Sequence, residues 1–292
     1  MSVVLAAAAN SCDAGVGPGK GIVYGIVQGL TEFLPISSTA HLRILPALAG
    51  WCDPGAAFTA VIQLGTALAI LLYFFRELLN VTVGFFRGLV DKQLRSGLEF
   101  RMGVYLIVAT VPVAVFGLIF NDAIETDLRS LWVVASSLIV LALVLLVAER
   151  IGAQRRGEED LDLTDALAVG GAQALALFPG ASRSGTTITA GLFRGLDRPT
   201  AARFSFLLSV PAVVLSGAFE ARKIGEVDPS GVKVGLGPTL LGVLFAFIVG
   251  LASIAWLLRW IARHGTYVFI AYRILLGLLL FGLLGGGVIA AT

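Results

Sequence analysis

The stretch QGLTEFLPISSTAH, residues 28–41, places an amide, a carboxylate, several hydroxyl groups and an imidazole inside an otherwise apolar part of the chain. Such groups are costly within a bilayer, and they persist there only where they pair with each other, contact water or bind a substrate. The stretch therefore predicts a functional site inside a membrane-embedded segment.

The composition around this stretch is that of a membrane protein. The chain has 292 residues, of which 57% are hydrophobic and 14% charged, and its mean hydropathy is +0.92. Soluble domains carry about 25% charged residues. Apolar segments that approach the roughly 20 residues of a spanning helix occur at 54–75, 102–120, 131–148, 236–258 and 266–291, with a weaker one at 204–219. We expect an all-α integral membrane protein, and the net charge of +2 gives no indication of a nucleic-acid partner.

Two regions are too short or too interrupted to be simple spans. Residues 21–35 form a helix-like run that reaches only about 22 Å, short of a hydrocarbon core of about 30 Å, and residues 39–49 follow at once. Residues 166–179 and 188–196 repeat this arrangement, with GASRSGTT between them. Each pair predicts a re-entrant helical hairpin whose polar tip stops within the membrane, buried in protein or lining a wet cavity.

The charges of the connecting segments predict the topology. The links at 76–101 and after 148 are rich in arginine, whereas the link at 121–130 is mainly acidic. Because basic links stay in the cytoplasm, the two hairpins are expected to enter from opposite faces. The predicted fold is an inverted repeat of six transmembrane helices plus two re-entrant helical hairpins. Its parts are a flexible tail (1–20), a first repeat (21–148), a cytoplasmic linker (149–165) and a second repeat (166–292).

The first tip offers groups for acid–base chemistry and for binding a cation. Gln28 and Glu32 are four residues apart and share a helix face. Ser38 and His41 are three apart and begin the next helix, where the neighbouring hydroxyls are interpreted as N-caps. A carboxylate cannot be left charged in lipid, so Glu32 is expected to face a partner, a cation or water.

The second tip, PGASRSGTT at residues 179–187, is typical of an anion site. Small residues, hydroxyls, a guanidinium and a new helix N-terminus together favour phosphate, and arginine offers a bidentate fork that lysine lacks. The candidate phosphate-binding residues are Ser182, Arg183, Ser184, Gly185, Thr186 and Thr187. The alternative is that Arg183 is a gate or a structural counter-ion of Glu32.

Together the two tips predict a phosphatase for a lipid substrate. A carboxylate and phosphate oxygens can jointly hold a hard divalent cation such as Mg²⁺ or Ca²⁺, and Gln28 and Glu32 are the candidate metal ligands. A cation, an arginine and a helix N-terminus would stabilise a transferring phosphoryl group. A site within the bilayer further indicates a substrate that carries a lipid tail.

Both motifs resemble the signature motifs of the bacterial undecaprenyl-diphosphate phosphatases, the bacitracin-resistance proteins. The stretches VIQLGT (61–66) and FSFLLSVP (204–211) are similar to that family too, so the resemblance covers nearly the whole chain. It implies removal of the terminal phosphate of undecaprenyl diphosphate, which regenerates the carrier lipid for peptidoglycan synthesis. It also implies dependence on a divalent cation, location in the plasma membrane, and a site that opens toward the outer face.

The resemblance also implies roles for individual residues. The family's (E/Q)xxxE motif falls on Gln28 and Glu32, its serine and histidine on Ser38 and His41, and its phosphate-binding arginine on Arg183. Gln28 is the weaker of the two permitted cation ligands because it is neutral. The catalytic residues are thus expected to be Glu32, Ser38, His41 and Arg183.

Two questions stay open at the level of the sequence. The terminal phosphoryl group is attacked in line by Ser38 or by water, with His41 as the acid or base. The rival function is a secondary transporter or lipid flippase, because inverted repeats with re-entrant tips are also a transporter architecture. The sequence does not determine the prenyl chain length, the preferred cation or the oligomeric state.

Overall fold

The computed structural model of the protein describes residues 15–120, 130–220 and 233–291, and most of these residues are helical. The first half contains α1 (Pro18–Thr31), α2 (Ser38–Ala49), α3 (Gly55–Tyr73), α4 (Phe75–Val90), α5 (Leu98–Ile119) and α6 (Leu131–Ile151). The second half contains α7 (Leu163–Ala174), α8 (Arg183–Phe193), α9 (Arg198–Glu220), α10 (Leu236–His264) and α11 (Tyr267–Gly285). Short 3₁₀ segments lie at Lys92–Ser96, Glu158–Asp160 and Leu175–Leu177, and strand β1 (Gly15–Val16) pairs in parallel with β2 (Lys233–Val234).

The all-helical membrane class is confirmed. Within the described ranges, α5, α6, α10 and α11 are long and apolar enough to cross a bilayer, and the pair α3–α4 makes a fifth span if it is counted as one broken helix. That pair bends by 73° at its junction. The exact count of six spans plus two hairpins stays a prediction.

Several predicted helix boundaries were wrong, and two of them have clear local reasons. Helix α1 begins three residues before the predicted start, because Pro18 occupies its first turn, where the missing N–H is not needed. Helix α8 begins at Arg183 and not at 188, because the Ser182 hydroxyl caps it by accepting from the Gly185 N–H at 3.1 Å. Residues 1–14 of the predicted tail and 121–129 of the predicted outward link lie outside the described residues.

Each hairpin is held by a helix of the opposite half. Helix α1 packs along α10, and α7 packs along α5. Glycines permit this close approach, since a Cβ atom at Gly25 would lie 2.4 Å from the Gly242 carbonyl oxygen, and one at Gly170 would lie 2.5 Å from the Ala109 oxygen. Small residues at such crossings are typical of membrane helices. The two halves therefore interlock, because the hairpin of each half packs against a helix of the other half.

The connecting segments separate onto two faces. On one face, the α8–α9 connection binds the 149–165 linker through Arg194 and Asp165 at 2.8 Å, and α9 binds the start of α4 through Arg203 and Glu77 at 2.8 Å. On the other face, the Leu131 N–H at the start of α6 donates to the C-terminal Ala291 carbonyl at 2.8 Å. The polar tips of both hairpins lie between these faces, inside the helical bundle.

Candidate active site

The two hairpin tips have the same backbone geometry. Helix α2 starts after Ser37 and α8 after Ser182, and both serines have positive φ angles, 74° and 69°. Each hydroxyl accepts from the backbone N–H three residues later, which is the usual N-cap bond. A positive φ angle is unfavourable for serine, and strained backbone of this kind clusters at functional sites, so both tips are candidate functional positions.

Direct contacts join the two tips. The Ser184 hydroxyl of the second tip donates to the Leu34 carbonyl of the first at 3.1 Å, and the Gly180 N–H donates to the Thr39 hydroxyl at 3.5 Å. The Arg183 guanidinium forms an ion pair with Glu32 at 2.5 Å, across 151 positions of sequence. The two tips thus meet, and the predicted site residues Glu32 and Arg183 are in direct contact.

Glu32 is the centre of this site. One carboxylate oxygen accepts from Gln28 Nε2 at 2.9 Å and from the Ser38 hydroxyl at 2.6 Å. The other accepts from Gln63 Nε2 at 3.3 Å and from Arg183 at 2.5 Å. The Glu32 side chain is only 6% exposed, and a buried carboxylate needs this kind of compensation to stay charged.

Helix α3 adds two residues that the sequence analysis did not assign to the site. Gln63 contacts Glu32 directly, and the Thr66 hydroxyl accepts from Gln28 Nε2 at 3.4 Å. Both lie in the VIQLGT stretch, where polar side chains interrupt a predicted span. That interruption was the available signal, and it is the same signal that marks the first tip.

The hydrogen bonds separate the roles of Ser38 and His41. The half-buried Ser38 donates its hydroxyl proton to Glu32, which makes the carboxylate its proton acceptor in this structure. His41 instead contacts the Ser37 carbonyl through Nδ1 at 2.7 Å and the Tyr272 hydroxyl through Nε2 at 2.6 Å. The expectation that His41 moves a proton therefore applies, in this arrangement, to a step other than the activation of Ser38.

Arg183 retains capacity for an anion. Its guanidinium donates to Glu32 and, at 3.4 Å, to the Ser209 carbonyl, while its side chain is 17% exposed. A guanidinium has five N–H donors, and the contacts with the described residues leave several of them to bind phosphate oxygens. The contact with Glu32 also matches the alternative interpretation of Arg183 as a counter-ion, and the two roles are compatible.

The other predicted phosphate ligands lie in the first turns of α8, with their hydroxyls engaged. Thr186 and Thr187 donate back to the Arg183 carbonyl at 3.0 and 2.7 Å, and Thr187 also contacts Ser205 at 2.6 Å. Ser182 serves as the N-cap and Ser184 joins the tips, as described above. A Cβ atom at Gly185 would lie 2.7 Å from a guanidinium nitrogen of Arg273, so this glycine makes room for a buried arginine.

Arg273 of α11 forms hydrogen bonds with the backbone of both tips. It is completely buried. Its guanidinium donates to five carbonyl groups, those of Pro35, Ser137, Leu138, Gly180 and Ala181. A lone arginine inside the predicted span 266–291 is an ionisable residue at membrane depth, and such residues are functional candidates by default.

The site fits a divalent cation only if other oxygens join it. Among the described residues, no three His, Cys, Asp or Glu side chains are grouped as a metal site. Glu32 supplies one carboxylate, and the amides of Gln28 and Gln63 can turn their oxygens toward a cation by rotation about the last side-chain bond. Phosphate oxygens of a substrate would complete the hard-oxygen set that Mg²⁺ or Ca²⁺ prefers.

Known proteins resemble this chain along most of its length. The family model described as bacitracin resistance protein BacA matches residues 21–279. The undecaprenyl-diphosphatase of Myxococcus xanthus is 51% identical over 92% of this chain and 89% of its own length. That of Chloroherpeton thalassium is 50% identical over 93% and 98%, and that of a Nocardioides species is 47% identical over 93% and 98%.

Proposed function

The chain belongs to the bacitracin resistance protein BacA family, and we propose that its two hairpin tips form the active site for its reaction. The protein is an undecaprenyl-diphosphatase, which removes a phosphate from undecaprenyl diphosphate and so takes part in recycling the carrier lipid of the cell wall and in bacitracin resistance. The observation that carries the site is the contact of one carboxylate, Glu32, with both Ser38 and Arg183.

The diphosphate binds where the tips meet. Arg183 binds the terminal phosphate with the N–H groups that its protein contacts leave free, and the N-terminal turns of α2 and α8 favour its negative charge. These two helices start within the bundle, so their partial charges act where water is scarce and electrostatic interactions are strong. The prenyl tail remains in lipid or between the helices.

Ser38 is the nucleophile in this proposal. Its oxygen attacks the terminal phosphorus in line, its proton passes to the Glu32 carboxylate, and the bond from phosphorus to the bridging oxygen breaks. Undecaprenyl phosphate leaves, and a phosphoserine remains. The 2.6 Å bond between Ser38 and Glu32 supports this step, since a base within hydrogen-bond reach is the signature of an activated nucleophile.

His41 serves the second step. A water molecule attacks the phosphoserine, one proton of that water passes to His41 Nε2, and the bond between phosphorus and the Ser38 oxygen breaks. The proton held by Glu32 returns to the serine oxygen. Inorganic phosphate leaves, and the imidazolium releases its proton to solvent. Histidine suits this role because its pKa ordinarily lies near neutral pH.

A divalent cation, Mg²⁺ or Ca²⁺, joins this site in the proposal. Glu32 and Gln28 would hold it together with phosphate oxygens of the substrate. When bound, it supplies positive charge that offsets the charge of the diphosphate.

The protein crosses the membrane several times, and we propose that it lies in the bacterial plasma membrane with its site open to the outer face. The links and helix ends on the face of the 149–165 linker carry most of the arginines outside the bundle, which favours the cytoplasm for that face. The α2–α3 connection lies on the opposite side, which this proposal assigns to the outer face. The first hairpin enters from that side.

The test uses purified protein in detergent with a short-chain prenyl diphosphate and Mg²⁺ or Ca²⁺. We expect release of inorganic phosphate without any sealed compartment, and a phosphoserine at Ser38 when the reaction is quenched early. A transporter or flippase would release no phosphate under these conditions. Full turnover by Ser38→Ala, with no labelled serine in the parent, would assign the attack to water.

A further inference from the structure

Both ring nitrogens of His41 are occupied, and one partner comes from a distant helix. Nδ1 lies 2.7 Å from the Ser37 carbonyl oxygen, and Nε2 lies 2.6 Å from the hydroxyl of Tyr272, which is 231 positions away on α11. The two ring planes are 6° from parallel and their centroids are 5.6 Å apart, so the rings lie edge to edge. This contact is therefore a hydrogen bond of defined geometry, with the hydroxyl close to the plane of the imidazole.

The partners determine the tautomer of the neutral imidazole. A carbonyl oxygen only accepts hydrogen bonds, so Nδ1 must carry the proton. Nε2 then holds the lone pair, and the Tyr272 hydroxyl must donate to it. The Ser37 carbonyl is itself held firmly, because Ser37 is the N-cap of α2 and its hydroxyl accepts from Ala40 N–H at 3.3 Å.

The position of Tyr272 on α11 is otherwise apolar. Tyr272 is 41% exposed, and its neighbours one turn away on the same face, Val268 and Leu275, are 57% and 67% exposed. An exposed apolar face on a spanning helix is typical of a surface that meets lipid, where a phenylalanine would pack equally well. The next residue, Arg273, fixes the height of α11 against both tips and so places the hydroxyl at His41.

We propose that Tyr272 is a positioning residue that acts through His41. Its hydroxyl keeps the lone pair on Nε2 and holds the imidazole plane in the orientation needed for the second step. The attacking water takes the place of the hydroxyl when it delivers its proton to Nε2, because one lone pair accepts one hydrogen bond. The inference rests on the proposed function for the role of His41 and adds a residue that prepares it.

The test removes only the hydroxyl. We expect Tyr272→Phe to lower kcat five- to tenfold, which matches the loss of one neutral hydrogen bond. KM should fall in the same proportion and kcat/KM should be retained, because only the hydrolysis of the phosphoserine is slowed. Tyr267→Phe is the matched control, since it makes the same change on the same helix at a side chain that is 46% exposed. It should leave kcat and KM at the parental values.

Two further measurements separate positioning from packing. In a His41→Ala background, Tyr272→Phe should cause no additional loss, because the hydroxyl acts only through the imidazole. The chain has two histidines, so a ¹⁵N-histidine spectrum in a His264→Asn background reports His41 alone. We expect the proton on Nδ1, and a displaced Nε2 resonance once the tyrosine hydroxyl is gone.

Each outcome decides one of the claims. If Tyr272→Phe has parental kcat and an unshifted Nε2 resonance while His41→Ala is strongly impaired but still measurable, the Tyr272 proposal fails and the function stands. An equal loss in the His41→Ala background also overturns it, since the tyrosine would then act by packing. Full activity of His41→Ala would remove the role of His41 itself, and with it the reason for positioning this side chain.

Discussion

Glu32 and Arg183 come from opposite hairpins, and each offsets the cost of burying the other's charge within the membrane. The carboxylate is 6% exposed and the guanidinium side chain 17%, so neither is solvated well by water. Removal of one partner from a buried ion pair leaves an uncompensated charge. Without Arg183, Glu32 would still accept hydrogen bonds from three other donors. A substitution of Arg183 should therefore remove the cation without disrupting the rest of the site.

The first prediction concerns the arginine. Arg183→Ala should lower kcat/KM by about 10³-fold, because the terminal phosphate loses its cationic clamp in the transition state. The kcat/KM of Arg183→Lys should lie between the values of Arg183→Ala and the parent, since lysine keeps the positive charge but cannot form the bidentate contact of arginine. Phosphate release from a prenyl diphosphate in detergent measures both, with size-exclusion elution as the check of folding.

His264→Asn is the control for that series. His264 stacks on Trp260 with ring centroids 4.2 Å apart, at the end of α10 and far from the tips in the fold. We expect parental activity from this variant. Parental activity from Arg183→Ala would contradict the assignment of the phosphate site.

The second prediction concerns the buried Arg273. Arg273→Met should destabilise the protein by about 3–5 kcal/mol, because carbonyl groups of both tips lose their shared donor in a site closed to water. The thermal midpoint in detergent should fall and activity should be lost with it. Arg259→Met replaces an exposed arginine on α10 and should change neither quantity. A parental midpoint for Arg273→Met would show that water satisfies these carbonyls.

Residues of the site differ in how visible they are in the sequence. Gln28, Glu32, Ser38 and Arg183 stand out because several polar groups cluster where apolar residues are expected. Gln63 and Arg273 were missed because each stands nearly alone within a long apolar segment. Tyr272 carried no signal at all, since tyrosine is common on membrane helices near the interfaces and only the fold brings it to a histidine.

At the scale of elements, the two hairpins repeat one another in register. Aligned at their capping serines, Ser37 and Ser182, they also align Gln28 with Gln173 without a gap. Gln173 is fully buried, and both polar atoms of its amide lack a partner among the described residues. The corresponding amide of the first hairpin, that of Gln28, contacts Glu32 and Thr66. Only the first hairpin therefore uses this position in the candidate site.

The same register shows how the site became asymmetric. Glu32 corresponds to Leu177, and Ser38 corresponds to Arg183. One hairpin therefore supplies the carboxylate and the proposed nucleophile, whereas the other supplies a cation at the equivalent point of its helix N-terminus. Two identical hairpins would place like charges next to each other where the tips meet. The differences at these positions bring a carboxylate and a guanidinium together instead, which is electrostatically favourable.

Helix existence was easier to predict than helix ends and bends. The apolar segments identified the long helices, because length and hydropathy are sufficient for that. The charged link predicted at 76–101 instead contains α4, whose axis departs from that of α3 by 73°. Its direction depends on packing against α5 and on the ion pair of Glu77 with Arg203, and both are tertiary contacts that no local pattern encodes.

The third prediction concerns the cap of α7, outside the membrane. Asp162 accepts from the Asp165 N–H at 2.9 Å as the N-cap of this helix. The hydroxyl of Thr164, then this N–H and the charges of Arg156 and Arg194, hold the pKa of Asp162 below its ordinary 3.8, against the opposing effect of burial. Asp162→Ala should therefore cost about 1 kcal/mol near neutral pH.

The sign of the shift determines how this cost varies with pH. A carboxylate whose pKa is lowered by folding contributes stability above its unfolded pKa and loses it as pH falls through the folded value. The thermal midpoints of parent and Asp162→Ala should thus differ at pH 7 and converge below about pH 4. Glu159→Ala, which removes an exposed carboxylate nearby, should show no such difference at either pH. A constant difference down to pH 3 would exclude the ionised cap as its cause.

At the scale of the whole molecule, the site exists because the two halves interlock. Helix α7 carries the second tip and packs on α5 of the first half, while α1 carries the first tip and packs on α10 of the second. A shift of either hairpin relative to its supporting helix moves one tip away from the other. Stability and activity should therefore respond together when these crossings are disturbed.

Adjacent glycines on α7 allow a matched test of this coupling. A Cβ atom at Gly170 would lie 2.5 Å from both Cα and the carbonyl oxygen of Ala109, whereas one at Gly171 would meet nothing within 4 Å. Gly170→Ala should lower stability by about 1–3 kcal/mol and reduce phosphate release, because backbone cannot yield as a side chain does. Gly171→Ala should keep activity and raise the midpoint slightly, since alanine favours the helix. If Gly170→Ala lost stability but kept parental turnover, the geometry of the tips would not depend on the α5–α7 crossing. In that case the contacts of Arg273 and the Glu32–Arg183 pair would be sufficient to hold the tips together.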